Sequence, residues 1–210
     1  MDIIPTKLDG VVIIETQRFG DDRGYFKETF QTERYADAGI QGPFVQDNFS
    51  HSHRGVLRGL HYQITKPQGK LVSVLSGEVY DVAVDLRIDS PTFAEWVGVS
   101  LTAENGRQLY IPPGFGHGFC VVSETADFFY KCTDYYCPAS ERAVLWNDPD
   151  LAVEWPVSSP NVSEKDAKAA SLKSAELFGL HNLIQPSKNE PGRLTSARLL
   201  WHLFQKRLAS

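Results

Sequence analysis

The segment Glu78-Val79-Tyr80-Asp81-Val82-Ala83-Val84-Asp85-Leu86 alternates without a break. In an extended chain Tyr80, Val82, Val84 and Leu86 fall on one side, and Val79, Asp81, Ala83 and Asp85 on the other. The first side is a core face. The second mixes small apolar residues with two carboxylates, which suits either a solvent face or the polar lumen of a small barrel. Working outward, further strand-forming runs occupy residues 11–14, 25–30, 71–75, 97–101, 108–111, 119–122 and 127–130. Ser76-Gly77 separates two of them, and Asn105-Gly106, a dipeptide favoured in hairpin turns, lies between 97–101 and 108–111. Helical patterns are confined to 32–38 and the region after Ser163. Many short strands without alternating long helices predict an antiparallel sandwich or barrel and exclude a doubly wound sheet.

A chain of 210 residues, 42% hydrophobic, is long enough for one substantial core. A net charge of −5 with plentiful aromatic and β-branched residues argues against a generally basic nucleic-acid binder and against a disordered chain. An anionic ligand therefore requires a local basic pocket. Residues 1–10, with Asp2, Lys7 and Asp9, lack a secretory pattern, and no run approaches the ~20 apolar residues of a transmembrane segment. A cytoplasmic location is expected. Cys120, Cys132 and Cys137 are odd in number and lack CxxC spacing, so reduced thiols are expected in place of a disulfide framework or a zinc site.

Two stretches resemble the paired cupin motifs of small jelly-roll barrels. GVLRGLH (55–61) supplies the glycine and histidine of the first, and Gly106 with PPGFGH (112–117) most of the second. The pair predicts that His61 and His117 face one cavity. A metal-binding cupin would add a second histidine and a carboxylate, but Gln63 and Gln68 stand near those positions, and neutral amides are poor ligands for a transition metal. His51 and His53 read as part of a polar loop. No metal is expected, and catalysis falls to side chains.

The longer runs GVLRGLHYQ (55–63), PQGKLVSVLSGEVYDVAVDLR (67–87), SPTF (90–93), IPPGFGHGF (111–119), FYKCTDYY (129–136) and WNDPDLAVEWP (146–156) resemble the dTDP-4-dehydrorhamnose 3,5-epimerase family over about residues 1–180. The resemblance implies a mainly β, cupin-type antiparallel jelly-roll barrel with a few peripheral helices. It also implies a homodimer with nucleotide contacts across the interface, no cofactor, and conversion of dTDP-4-dehydro-6-deoxy-D-glucose to dTDP-4-dehydro-L-rhamnose. In the family pattern His61 is the base, Asp166 orients it, Lys70 lies near the ketone oxygen and Tyr130 is the acid. Arg58 engages the diphosphate, Gln46 and Asn48 line the nucleotide side, and Asp81 and His117 the sugar side. Arg23, Phe26 and Glu28 reach the neighbouring subunit's nucleotide, and Tyr136 is a further nucleotide contact.

Such a set matches the chemistry, because inversion beside a ketone needs a base, an oxyanion partner and an acid. Each residue also has a plainer reading. Lys70 suits a solvated strand end, Tyr130 a core aromatic, and Asp166 the last position of a capping box opened by Ser163; that last role is compatible with catalysis. C3-only or C5-only epimerisation, a noncatalytic sugar-nucleotide-binding cupin and a metallocupin oxygenase remain as alternatives.

The resemblance fades near residue 180, dividing the chain into an epimerase domain at 1–185 and a basic amphipathic extension at 186–210. There Lys188, Arg193, Arg198, Lys206 and Arg207 face only Glu190, and residues 194–208 carry an apolar stripe of Ala197, Leu200, Trp201, Phe204 and Leu208 at helical spacing. This extension is expected to be an added packing element outside the catalytic machinery.

Overall fold

The computed structural model describes residues 1–40, 42–179 and 183. The expected 186–210 extension and the boundary before it lie outside the described residues. In chain order the elements are β1 (Asp2–Pro5), β2 (Val12–Glu15), β3 (Arg18–Asp21), β4 (Gly24–Lys27), α1 (Thr32–Asp37), β5 (Gln46–His53), β6 (Leu57–Gln63), β7 (Lys70–Ser76), β8 (Glu78–Asp85), β9 (Trp96–Thr102), β10 (Gln108–Ile111), β11 (Phe115–Val121), β12 (Thr125–Cys132), a 3-10 turn at Pro138–Ser140, β13 (Glu141–Ala143) and α2 (Glu164–Ala167).

The strands form two antiparallel sheets, ordered β1-β2-β10-β7-β12-β5 and β13-β6-β11-β8-β9, while β3 and β4 pair only with each other. The main core lies between the sheets, where Val72, Val74, Leu109 and Phe128 of the first meet Val79, Ala83, Leu101, Phe119 and Val121 of the second. Each outer face is covered separately. Residues around α1, led by Tyr35, pack on Ile14 and Leu71. The chain after β13 wraps Leu60, Tyr62, Val82, Val84 and Leu86 with Leu151, Leu172 and Phe178. The mainly antiparallel jelly roll with small peripheral helices is thus observed.

Both faces of β8 are buried, and Asp81 and Asp85 are fully so. The lumen reading of that strand holds. Asp85 is neutralised by Arg87 at 2.8 and 2.7 Å and accepts bonds from Ser90 and Thr92. Asn105-Gly106 points to a hairpin that does not form, and Ser76-Gly77 separates two strands as expected. The strands flanking Ser76-Gly77 lie in opposite sheets, as do those flanking Asn105-Gly106. Asn105 Oδ1 accepts from the backbone N–H groups of Thr102 and Arg107, and this compact turn carries the chain across the sandwich. The helix after Ser163 is a single turn, because Ala170 is drawn into a bridge with Val144 and its carbonyl accepts the N–H of Leu145. His51 and His53, expected in a loop, are on β5.

The register of β6 against β11 contains one irregularity. His61 pairs with His117 and Arg58 with Phe119, so three steps on β6 match two on β11. Alternation alone would put Arg58 and His61 on opposite faces; the extra residue turns both inward. Gly59 makes this possible. Its φ is +131°, and a Cβ there would lie 2.5 Å from Gly118 Cα and 2.8 Å from His117 O. Gly59→Ala is accordingly expected to cost about 2–4 kcal/mol in urea unfolding, from combined backbone strain and overpacking. A loss below ~1 kcal/mol would show that the bulge tolerates a side chain.

Candidate active site

Inward-facing side chains of the two sheets meet at a cavity of about 300 Å³. His61 enters it from the five-stranded sheet, and Lys70 and Tyr130 from the six-stranded one. Gln46 and Asn48 on β5 line it too, as does Tyr136 in the loop after β12.

His61 Nε2 lies 2.6 Å from Asp166 Oδ1. An ionised carboxylate only accepts, so this contact assigns the proton to Nε2 and leaves Nδ1 with a lone pair. Ser163 caps α2 by accepting the Asp166 N–H at 3.0 Å, which frees the aspartate side chain to reach the imidazole. Gly59, at the bulge, donates its N–H to Asp166 Oδ2 at 3.4 Å. Cap and partner therefore coexist, divided between Ser163 and Asp166. Burial pushes the Asp166 carboxyl up, but its bonds to His61 and Gly59 and the attraction of the His61 ring when protonated outweigh this and hold it below the ordinary carboxylate value.

Lys70 is buried, and its Nζ donates to His61 O at 3.4 Å. Burial drives its pKa down, while Cys132, Asp81 and Glu141 pull the other way. Burial likewise raises the Tyr130 phenol to about 12, so at neutral pH it holds a proton to donate. Beneath the cavity His117 Nε2 contacts both oxygens of Asp81 at 3.1 and 3.0 Å, and its ring stacks on Phe128. Burial dominates there and lowers the His117 pKa in spite of the aspartate. Among the described residues no three His, Cys, Asp or Glu side chains are grouped to hold a metal. Gln63, at a metal-motif position, spends its amide on Lys66 O, Tyr135 O and the Cys137 N–H, and so pins a loop.

Arg58 is close by, bonded to Ser52 Oγ at 3.2 and 3.1 Å. Arg23, Phe26 and Glu28 do not join this cavity within one chain. Arg23 is paired with Asp21, Glu28 with Arg34, and Phe26 is 70% exposed on or beside the β3–β4 hairpin. Glu141 and Cys132 are among the cavity residues that escaped sequence reasoning. Glu141 accepts Tyr136 Oη–H at 2.7 Å and Lys165 Nζ at 2.6 Å. Cys132 lies opposite Lys70 across the β7–β12 ladder. Residue type alone did not mark either; only strand pairing brings them to the cavity.

The fold and this cavity define a cupin-type protein with a cluster of titratable side chains between its sheets. Residues 5–174 match the sequence model of the dTDP-4-dehydrorhamnose 3,5-epimerase family. The dTDP-4-dehydrorhamnose 3,5-epimerase of Pseudomonas aeruginosa is 54% identical over 170 residues, which cover 80% of this chain and 94% of that one. The crystal structure of a Legionella pneumophila dTDP-6-deoxy-D-glucose-3,5-epimerase in complex with dTDP-4-keto-L-rhamnose matches with a TM-score of 0.81 at 57% identity, over 82% of this chain and 93% of that one. The dTDP-4-dehydrorhamnose 3-epimerase of Streptomyces niveus is 39% identical, over 86% and 88% of the two chains. The chain belongs to the dTDP-4-dehydrorhamnose 3,5-epimerase family and is an isomerase.

A buried ammonium burdens the fold. Its depressed pKa means that folding disfavours the charged form, so the cost is present in full below the folded pKa and fades as pH rises through it. Lys70→Met is expected to gain about 1 kcal/mol in denaturant unfolding at pH 7, with a smaller gain in alkali, while turnover falls by on the order of a hundredfold or more. A destabilised Met variant would mean that Lys70 serves the fold.

Proposed function

We infer that this chain inverts C3 and C5 of dTDP-4-dehydro-6-deoxy-D-glucose, giving dTDP-4-dehydro-L-rhamnose, and that His61, Asp166, Lys70 and Tyr130 carry the chemistry. Both carbons flank the C4 ketone, so loss of either proton gives an enolate whose charge settles on the same oxygen. His61 takes the proton at its unprotonated ring nitrogen, and the resulting imidazolium is supported by Asp166. Lys70 opposes the charge on the enolate oxygen. Tyr130 returns a proton to the other face of the carbon, and solvent then reprotonates the phenolate while His61 releases its proton. The observation that carries this reading is that the base enters the cavity from one sheet and the lysine and phenol from the facing one. Inversion requires that opposition; simple exchange does not.

Arg58, Gln46, Asn48 and Tyr136 are proposed to meet the dTDP group, with Asp81 and His117 supporting the sugar end. A homodimer completes the site. Phe19, Tyr25 and Phe26 are 56%, 62% and 70% exposed on a hairpin paired with no other strand among the described residues, and Arg23, Phe26 and Glu28 are proposed to reach the partner's nucleotide. Sedimentation equilibrium reads this directly, and a fully active monomer would reject it. No helix among the described residues is long and apolar enough to cross a membrane. A cytoplasmic location is proposed from the nucleotide-activated substrate and the three free thiols.

Incubation with the ketosugar in deuterated water separates the roles. His61→Asn is expected to slow deuterium entry at both C3 and C5 by about a thousandfold. Tyr130→Phe is expected to retain exchange while losing inversion. NMR of the product also distinguishes the double epimerase from a C3-only enzyme. Wild-type exchange in the His61 variant, or normal inverted product from the Tyr130 variant, would refute the assignments.

A further inference from the structure

Cys132 lines the cavity, is almost fully buried, and has no part in the proton transfers described above. It lies on β12 directly opposite Lys70 on one side and Gln46 on the other. From the Gln46 side a directed chain of hydrogen bonds runs to its sulfur. The Tyr136 N–H donates to Gln46 Oε1 at 2.8 Å, Gln46 Nε2 donates to Asn48 Oδ1 at 2.9 Å, and Asn48 Nδ2 donates to Cys132 Sγ at 3.5 Å. Direction is forced from the first link. A backbone N–H can only donate, so the Gln46 oxygen must face it; the Gln46 nitrogen then meets the Asn48 oxygen, and the Asn48 nitrogen is left toward residue 132. The chain closes only if residue 132 accepts. Burial raises the pKa of this thiol, with Lys70 and Asn48 acting in the opposite direction, so the acceptor is a neutral sulfur.

We propose that Cys132 is a positioning residue for the nucleotide end of the cavity: by accepting from Asn48 it anchors the far end of this relay, whose direction the Tyr136 N–H sets, and so holds the Asn48 and Gln46 amides in place for a bound dTDP group. The inference rests on the reading that these two amides meet the nucleotide. Without the acceptor, the Asn48 NH₂ group is left partly unsatisfied while Gln46 still holds its oxygen, so the amide keeps its direction but loses the bond that anchors it against the ligand.

Titration calorimetry with dTDP alone, beside steady-state kinetics, tests it on the full chain. Cys132→Val keeps the bulk and removes the acceptor. It is expected to weaken dTDP binding about fivefold, on the order of one neutral hydrogen bond. KM should rise by a similar factor, with kcat within about twofold of wild type. Cys132→Ser, which restores an acceptor, is expected to recover most of the affinity, and Cys132→Ala replaces the valine variant if that protein does not fold. Wild-type dTDP affinity in the valine or alanine variant would overturn the proposal. So would equal losses in the serine and valine variants, which would indicate packing alone, or a fall in kcat at unchanged dTDP affinity, which would indicate action on Lys70. A wild-type protein that failed to bind dTDP would refute the substrate reading itself, whereas wild-type binding left intact by loss of the acceptor refutes only the role of Cys132.

Discussion

The structure turns on one extra residue in one strand. At the bulge around Gly59 the pleat of β6 slips by one position, so that Arg58 and His61 both look into the space between the sheets. The same glycine brings its Cα against Gly118 and aims its N–H at Asp166, the carboxylate that holds His61. Bulge, base and orienting acid are therefore one geometric unit. A regular strand would instead put Arg58 on the face of Leu60 and Tyr62, opposite His61.

Around that unit the interior departs from an ordinary apolar core. The lower part of the sandwich is filled by Val72, Leu109, Phe119 and Phe128, but the upper part holds a buried lysine and a phenol, with the aspartate–histidine pair of Asp81 and His117 beside them. Burial holds the Tyr130 proton in place and keeps His117 neutral as a donor to Asp81, but it works against the charged form of Lys70, which nearby Asp81 and Glu141 support. Asp166 is kept ionised by its partners in spite of burial. These polar groups are costly in a protein interior, and the apolar layer below supplies the stability that tolerates them.

Much of this was legible in the sequence, and the failures share a physical cause. Short antiparallel strands follow from alternation, whereas the jelly-roll class and the grouping of His61, Lys70 and Tyr130 are what the family resemblance implies. The polar inner row of β8 also has its lumen explanation. β5 was illegible because polar residues dominate both of its faces: Gln46, Asn48, Ser50 and Ser52 turn inward toward the cavity side, and Asp47, His51 and His53 outward with Phe49 as the one apolar side chain, so the hydrophobic alternation that marks a strand is missing. Asn105-Gly106 misled because a local turn preference says nothing about which sheet receives the next strand. Cys132 and Glu141 become site residues only through pairing with Lys70 and Gln63, contacts distant in sequence.

The central claim is that one imidazole and one phenol address opposite faces of a sugar whose ketone oxygen lies at a buried ammonium. Its most direct test is a crystal structure of the protein with dTDP-4-keto-L-rhamnose bound. The account predicts the ketone oxygen within hydrogen-bonding distance of Lys70 Nζ, the His61 ring against one face of the C3–C4–C5 edge, and the Tyr130 hydroxyl against the other. A sugar bound with its ketone turned away from Lys70, or with His61 and Tyr130 on the same face, would contradict it.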